Sequence, residues 1–309
     1  MNYRHAYHAG NFADVLKHSV LFALIQALKA KDTPFALIDT HAGSGCYALD
    51  SEEAGKTGEY REGIARLLFP DLKQTEQKPL PPLLRHWLDT LLALPGNEHG
   101  LKLYPGSPLQ AALAMRATDS AQLCELHPEE VSRLRELFHH DRRVHVHHRD
   151  GYEALKALLP PKEKRGLVLI DPPYEAQDSE FRLIEAALQA ALQRWPNGIY
   201  AIWYPIKRRS QLRPFLRWLQ RCSAQRVLQA ELLVHPDDSP LRLNGSGMAI
   251  LNAPWNLDQV LREPLHAMAR LLSQERAATW RLDWLVQEND TKASQAHHAR
   301  PLPRPQRPR

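Results

Sequence analysis

The residues with most chemistry to offer are Asp171, Pro172, Pro173 and Tyr174, which follow directly on the apolar run Leu167-Val168-Leu169-Ile170. Four apolar residues in a row read as a strand buried on both faces, as in a parallel sheet. The prolines end it, because neither has an N–H to give to the ladder. Asp171 is thereby expected at the carboxyl end of a central strand, where open α/β sheets bind their ligands. A carboxylate, the carbonyl of Pro172 and the ring of Tyr174 together suit a flat base bearing an exocyclic amine. Such an amine is a poor nucleophile, since its lone pair is delocalised into the ring. Hydrogen bonds from it to Asp171 and to the Pro172 carbonyl favour a more tetrahedral nitrogen, and Asp171 can take the released proton. Tyr174 is expected to stack on the base, which is worth about 1–3 kcal/mol.

Three more acids stand at or just after predicted strand ends: Asp39, Glu125 and Asp150. In a doubly wound sheet these ends share one edge, so all four acids are expected to line one crevice. The set suits a nucleoside-containing cofactor. Glu125 could accept from ribose hydroxyls and Asp150 from an adenine amine. The turn Ala42-Gly43-Ser44-Gly45 after the first strand lets backbone N–H groups approach such a ligand. Ala48 stands where a dehydrogenase fingerprint has its third glycine, which disfavours a nicotinamide enzyme. No His/Cys/acid group has metal-ligand spacing, so no metal is expected. His145, His147 and His148 straddle a strand and read as alternating core and surface positions.

The elements that must position these groups alternate. Asn11 can cap a helix in which Val15, Leu16, Val20, Leu21, Leu24, Ile25 and Leu28 form one apolar face, with Lys17 and His18 in its first half. Strands are predicted at 35–39, 122–126, 144–148, 167–170 and 198–204, with helices at 109–116, 128–138, 152–159, 179–195 and 208–221 between or after them. That order means a parallel sheet with helices on both faces. Strands at 226–234 and 247–252, joined by a polar loop, form a hairpin, so one of them runs antiparallel. A helix at 257–272 and an edge strand at 279–286 follow. Residues 50–103, with helices near 59–68 and 82–94, are too many for an ordinary connection and read as a helical insertion.

The composition is ordinary for a globular protein, 43% hydrophobic and 24% charged over 309 residues. No apolar run has the length of a membrane span, and the N-terminus lacks an apolar signal segment. Three scattered cysteines fit buried thiols in a reducing compartment, so a cytoplasmic protein is expected. The net charge of +5 sits mostly in residues 290–309, whose five Lys/Arg and one acid leave +1 for the remainder. Candidates for phosphate contact are therefore local: Arg4, His5, Lys17 and the run Lys207-Arg208-Arg209, with Arg213, Arg217 and Arg221 beyond it. From 289 the Pro/Arg/His-rich chain reads as a disordered basic tail.

Taken together, the acids, the glycine turn and Asp171-Pro172-Pro173-Tyr174 resemble a class I S-adenosyl-L-methionine-dependent methyltransferase acting on an exocyclic amine. Further motifs resemble the bacterial RlmJ family: Tyr3-Arg4-His5, His8-Ala9-Gly10-Asn11, Asp14-Val15-Leu16-Lys17-His18, Asp39-Thr40-His41-Ala42-Gly43, Thr57-Gly58-Glu59-Tyr60, Tyr104-Pro105-Gly106-Ser107-Pro108 and Glu125-Leu126-His127-Pro128. The likeness runs in family order over about 1–286. It implies a Rossmann-like domain (1–49 and 104–288), an inserted helical subdomain (50–103) and N6 methylation of adenine 2030 in 23S ribosomal RNA. It also implies cofactor contacts at His18, His41, Ser107, Glu125, Asp150, Gly151 and Asp171. Tyr3 resembles the family's substrate-contacting tyrosine. A monomer acting on RNA, with no membrane partner, is expected. The acid-Pro-Pro-Tyr loop alone also suits a guanine-N2 ribosomal RNA methyltransferase or a DNA adenine methyltransferase. A non-enzymatic RNA-binding protein is the rival of another class.

Overall fold

The computed structural model describes residues 4–69, 78–237, 239, 243–273 and 278–287. Tyr3, residues 70–77 and the tail from 289 lie outside them. The strands are β1 (Phe35–Asp39), β2 (Cys46–Ala48), β3 (Leu103–Pro105), β4 (Ser120–Glu125), β5 (Val144–His148), β6 (Arg165–Ile170), β7 (Ile199–Ile206), β8 (Val227–Leu233), β9 (Gly245–Leu251) and β10 (Thr279–Val286). Eight of them form one sheet in the order β10-β8-β9-β7-β6-β1-β4-β5. The pairs β5–β4, β4–β1, β1–β6 and β6–β7 are parallel. β9 is wedged between β7 and β8 and runs antiparallel to both; β10 closes that edge antiparallel to β8. The result is the expected α/β fold, Rossmann-like, with a mostly parallel sheet and an antiparallel C-terminal part.

Period-two patterning builds a core on each face. Phe35 and Leu37 of β1, with Leu167 and Leu169 of β6, join the cluster around the helices Phe12–Lys29, Ser107–Ala114 and Leu257–Leu271. Ile38, Val168 and Ile170 join the opposite one, under the helices Gly151–Leu158, Gln177–Arg194 and Arg209–Leu219. All five residues of β1 are buried, as a central strand demands.

The helix Phe12–Lys29 is capped as its sequence suggests: the Asn11 side chain accepts from Ala13 N and Asp14 N at 3.0 and 2.9 Å. Its surroundings differ from a one-sided amphipathic helix. Every residue from Phe12 to Ile25 is buried, polar Asp14, Lys17, His18 and Ser19 included. It packs against β9, the helices Ser107–Ala114 and Leu257–Leu271, and Pro82–Leu92 from the 50–103 stretch. That stretch also forms the short helices Glu52–Thr57, Glu59–Glu62 and Ile64–Leu68. Its Ile64, Leu67, Leu84, Trp87 and Leu91 belong to the same core cluster as the first helix. Charged groups buried in that helix must then find partners within the protein.

Two three-residue strands escaped the sequence reading, being too short to show a period. β2 and β3 pair antiparallel, and Gly106 N donates to Gly45 O at 2.8 Å. This seats the Tyr104-to-Ser107 turn on the glycine turn. Across the site, Gly151 approaches the chain so closely that a Cβ there would lie 2.1 Å from Thr40 O. Gly151→Ala is expected to cost about 1–3 kcal/mol, the usual toll of overpacking, and to displace the turn at Thr40. Denaturant unfolding with no change in midpoint would contradict this.

Candidate active site

The carboxyl ends of β1, β4, β6 and β7 open on one cavity of about 920 Å3. Its wall gathers Arg4, His5, Lys17, His18, His41, Ser107, Glu125, Asp150, Gly151, Asp171, Pro172 and Tyr174. Several of these groups are arranged differently from expectation.

Of the four strand-end acids, three line the cavity, while Asp39 lies behind the wall. Its side chain is fully buried, accepts from Ser107 Oγ at 2.7 Å and from His41 N at 3.2 Å, and so fixes two cavity residues from behind. Burial pushes the Asp39 carboxyl up to about 6, against the lowering effect of the Ser107 and His41 bonds. Glu125 accepts from Gly43 N at 2.8 Å through one oxygen and from the N–H groups of Leu126 and His127 at 2.7 Å through the other. It ties the end of β4 to the glycine turn, where Gly43 has φ +61° and Gly45 +81°. Asp150 caps the helix Gly151–Leu158 through Glu153 N.

Lys17 does not offer its charge to a phosphate. The residue is 4% exposed, and its Nζ lies 2.8 Å from Asp14 Oδ1 and 2.5 Å from Asp171 Oδ2. The first helix is buried on all sides, so this cation can be accommodated only between carboxylates. Asp14 is a hub the sequence reading missed. Its Oδ2 bonds His5 Nε2 and accepts from Gly10 N, both at 2.9 Å, so one acid holds the N-terminal segment and Lys17 together. Burial alone would push Asp14 up; His5, which also hydrogen-bonds it, and the Lys17 cation outweigh it and hold this carboxyl well below the ordinary range. The spacing Asp14–Lys17, three apart on a helix, was the available signal.

The N-terminal segment is anchored at further points. Arg4 pairs with Glu129 at 3.2 Å on the surface, and His8 Nδ1 lies 3.0 Å from Glu59. In the basic run, Lys207 is exposed at the cavity rim, whereas Arg209 is turned inward to Glu231 and Asp237. Arg213, Arg217 and Arg221 are exposed and do not line the cavity.

Tyr174 departs most from expectation. It takes φ +50° and its ring is packed away, 3% exposed, against the edges of Phe181 and Trp203. Its hydroxyl donates to Trp203 O at 2.6 Å. The open ring face expected here is therefore absent. The left-handed backbone after two prolines aims the side chain under the loop instead of across the cavity.

His18 and His41 are both held neutral. Burial drives His18 down to about 3 and His41 to about 4, overriding the carboxylates near them. His18 Nδ1 is hydrogen-bonded to the Tyr104 hydroxyl at 2.7 Å, a contact delivered by β3. Because each folded value lies below the unfolded one near 6.5, their stabilising contribution is complete above pH 6.5. It is lost as pH falls through about 4 and then 3. For His18, fully enclosed, the loss between pH 6.5 and 4 is expected to reach roughly 3 kcal/mol; His41, only partly covered at the wall, contributes less. Urea unfolding across that range tests this. His18→Gln should flatten the acid loss, and an unchanged slope would contradict it.

A binding test can be made on the residues themselves. S-adenosyl-L-methionine carries an ammonium, a sulfonium, ribose hydroxyls and an adenine amine. The wall sets carboxylates against them at Asp171, Glu125 and Asp150, with Gly43 and Gly151 on the same wall. Two neutral histidines add no positive charge to repel a sulfonium. The residues present fit the group. Among the described residues, no cluster of His, Cys, Asp or Glu is arranged to hold a metal, and no helix is long and apolar enough to cross a membrane.

Comparison with known proteins agrees. A protein 40% identical over 288 residues, spanning 93% of this chain and 100% of its own length, is the ribosomal RNA large subunit methyltransferase J of Haemophilus influenzae. The Escherichia coli protein of the same name is 42% identical over 289 residues, with the same coverage. A crystal structure of a Legionella pneumophila protein, 34% identical, superposes with a TM-score of 0.80 over 89% of this chain and 98% of that one. Residues 32–286 match the sequence model of one family, described as ribosomal RNA large subunit methyltransferase D, RlmJ, and the chain belongs to that family.

Proposed function

We propose that this methyltransferase transfers the methyl group of S-adenosyl-L-methionine to the N6 amine of an adenine in 23S ribosomal RNA, adenine 2030 in the family's numbering. The observation that carries the reading is Asp171-Pro172 at the end of β6, on the wall of a cavity of about 920 Å3 whose other acids suit a nucleoside cofactor. When bound, the cofactor supplies an electrophilic methyl on sulfur. Asp171 and the Pro172 carbonyl accept the two amine hydrogens, which localises the nitrogen lone pair and aims it. The wall around His41, Glu125 and Asp150 fixes the partner in line, and positioning of this kind supplies much of the rate. Held by the wall, the cofactor would give up its methyl with the bonding pair left on sulfur, so Asp171 would face an amine nitrogen that has become cationic. Asp171 then takes the excess proton and passes it to solvent.

Nucleoside analysis of ribosomal RNA from a deletion strain, with mapping of the affected nucleotide, tests this. Loss of N6-methyladenosine from the large-subunit RNA, restored by the purified protein, is the expected result. Loss of N2-methylguanosine instead would move the substrate to guanine.

A further inference from the structure

We propose that the outward face of the helix Arg209–Leu219 carries the phosphate backbone of the ribosomal RNA that flanks the target base. The proposal rests on the reading of the cavity as the place where that base is methylated. Residues 186–230 hold eight Lys/Arg and no Asp or Glu, although the chain has 35 acids over 309 residues. Most of these cations follow one line. It starts at the cavity rim with Lys207 and Arg208 and continues along the helix as Arg213, Arg217 and, just past its end, Arg221. A face that served solubility alone would mix both signs of charge.

The fold sets these cations in a row. Leu212, Phe215 and Leu219 turn the apolar side of the helix inward, so Arg213 and Arg217, four apart, fall on the solvent side. At a rise of about 1.5 Å per residue, they and Arg221 stand about 6 Å apart along the axis. A duplex strand has one phosphate per about 3.4 Å of its axis, so such a row can meet alternate phosphates. Arg209 is used differently. It donates to Asp237 and Glu231 at 3.0 and 2.9 Å, which pins the first turn of the helix to β8 and the loop after it. Arg208, Arg213, Arg217 and Arg221 are exposed and have no carboxylate partner among the described residues, so their charges are available to a polyanion. The helix begins where β7 ends, on the edge of the sheet that opens the cavity. RNA that presents a base to the cavity and leans over this rim therefore meets the row next.

The test follows kcat/KM for large-subunit RNA from the deletion strain against KCl concentration, with the full-length enzyme and methyl groups counted whatever the base. Each phosphate contact removed flattens the plot of log kcat/KM against log salt by about 0.7–0.9. Arg213→Gln/Arg217→Gln is thus expected to flatten it by about 1.4–1.8, with the loss of activity carried by KM. Arg213→Lys/Arg217→Lys keeps the point charges and should keep the wild-type slope. Lys162→Gln/Lys164→Gln removes the same charge from exposed positions before β6, at the far end of the sheet, and should also keep it. An unchanged slope in Arg213→Gln/Arg217→Gln would overturn the proposal. So would an equal flattening in Lys162→Gln/Lys164→Gln or in Arg213→Lys/Arg217→Lys. Filter retention of the same RNA gives the slopes without turnover. A product nucleoside other than N6-methyladenosine would overturn the adenine reading, while the slopes would still decide on the helix.

Discussion

Asp171→Ala is expected to lower kcat by at least about 10^3-fold while cofactor affinity changes only a few-fold. General base action by a placed side chain contributes roughly 10^2–10^4 in rate, and this residue also holds the amine that attacks. The side chain is 14% exposed at a strand end, so its removal opens no apolar core. Lys17 keeps Asp14 as a partner at 2.8 Å, so the buried cation is not orphaned and the fold should survive. Asp171→Asn sharpens the test. Its amide oxygen can still accept one amine hydrogen but cannot take the proton, so a smaller loss is expected, about 10^2-fold. Single-turnover methylation of large-subunit RNA, with calorimetry of S-adenosylhomocysteine binding, separates the effects. Wild-type turnover by Asp171→Ala would remove Asp171 from the chemistry.

The sheet was largely legible because its signals are local. β6 announces itself as an apolar run halted by prolines, and β10 was placed at 279–286, the residues it occupies. The antiparallel turn of the C-terminal strands followed from the polar loop between them. What stayed hidden depends on contacts far apart in sequence. Lys17 and Asp171 are 154 positions apart, and a lysine near a glycine-rich turn looks the same whether it faces RNA or a carboxylate. Asp39 ends its strand as Asp171 does, yet the turn at Thr40 covers one and leaves the other open. Tyr174 shows the same limit on a smaller scale. The prolines fix where the chain leaves the strand, but the φ of +50° that turns the ring inward is set by its packing on Phe181 and Trp203. β2 and β3, three residues each, are defined by each other and not by any pattern within them.

The buried triplet Asp14–Lys17–Asp171 leads to the second large effect. Lys17→Met keeps the length and much of the volume of the side chain but removes the cation between two carboxylates. Breaking a buried ion pair by deleting one partner costs about 3–5 kcal/mol. Here both remaining groups are acids, and Asp14 is almost wholly enclosed, so a loss at the upper end is expected. The pH dependence carries a signature. Asp14 is held below the ordinary carboxylate range in the wild type, so it contributes stability above its unfolded pKa, and this is lost as pH falls through the folded value. Without Lys17 the desolvation of Asp14 is less opposed, its folded pKa rises, and that contribution shrinks. The gap between wild type and Lys17→Met should therefore be widest near neutral pH and narrow in acid. Turnover should fall as well, by roughly 10^2-fold or more, because Asp171 loses the contact that fixes its side chain over the cavity. Lys17→Arg retains the charge in a bulkier, forked group, and should recover stability better than turnover. A pH-independent gap in urea unfolding, or full turnover by Lys17→Met, would show that the cation neither stabilises Asp14 nor positions Asp171.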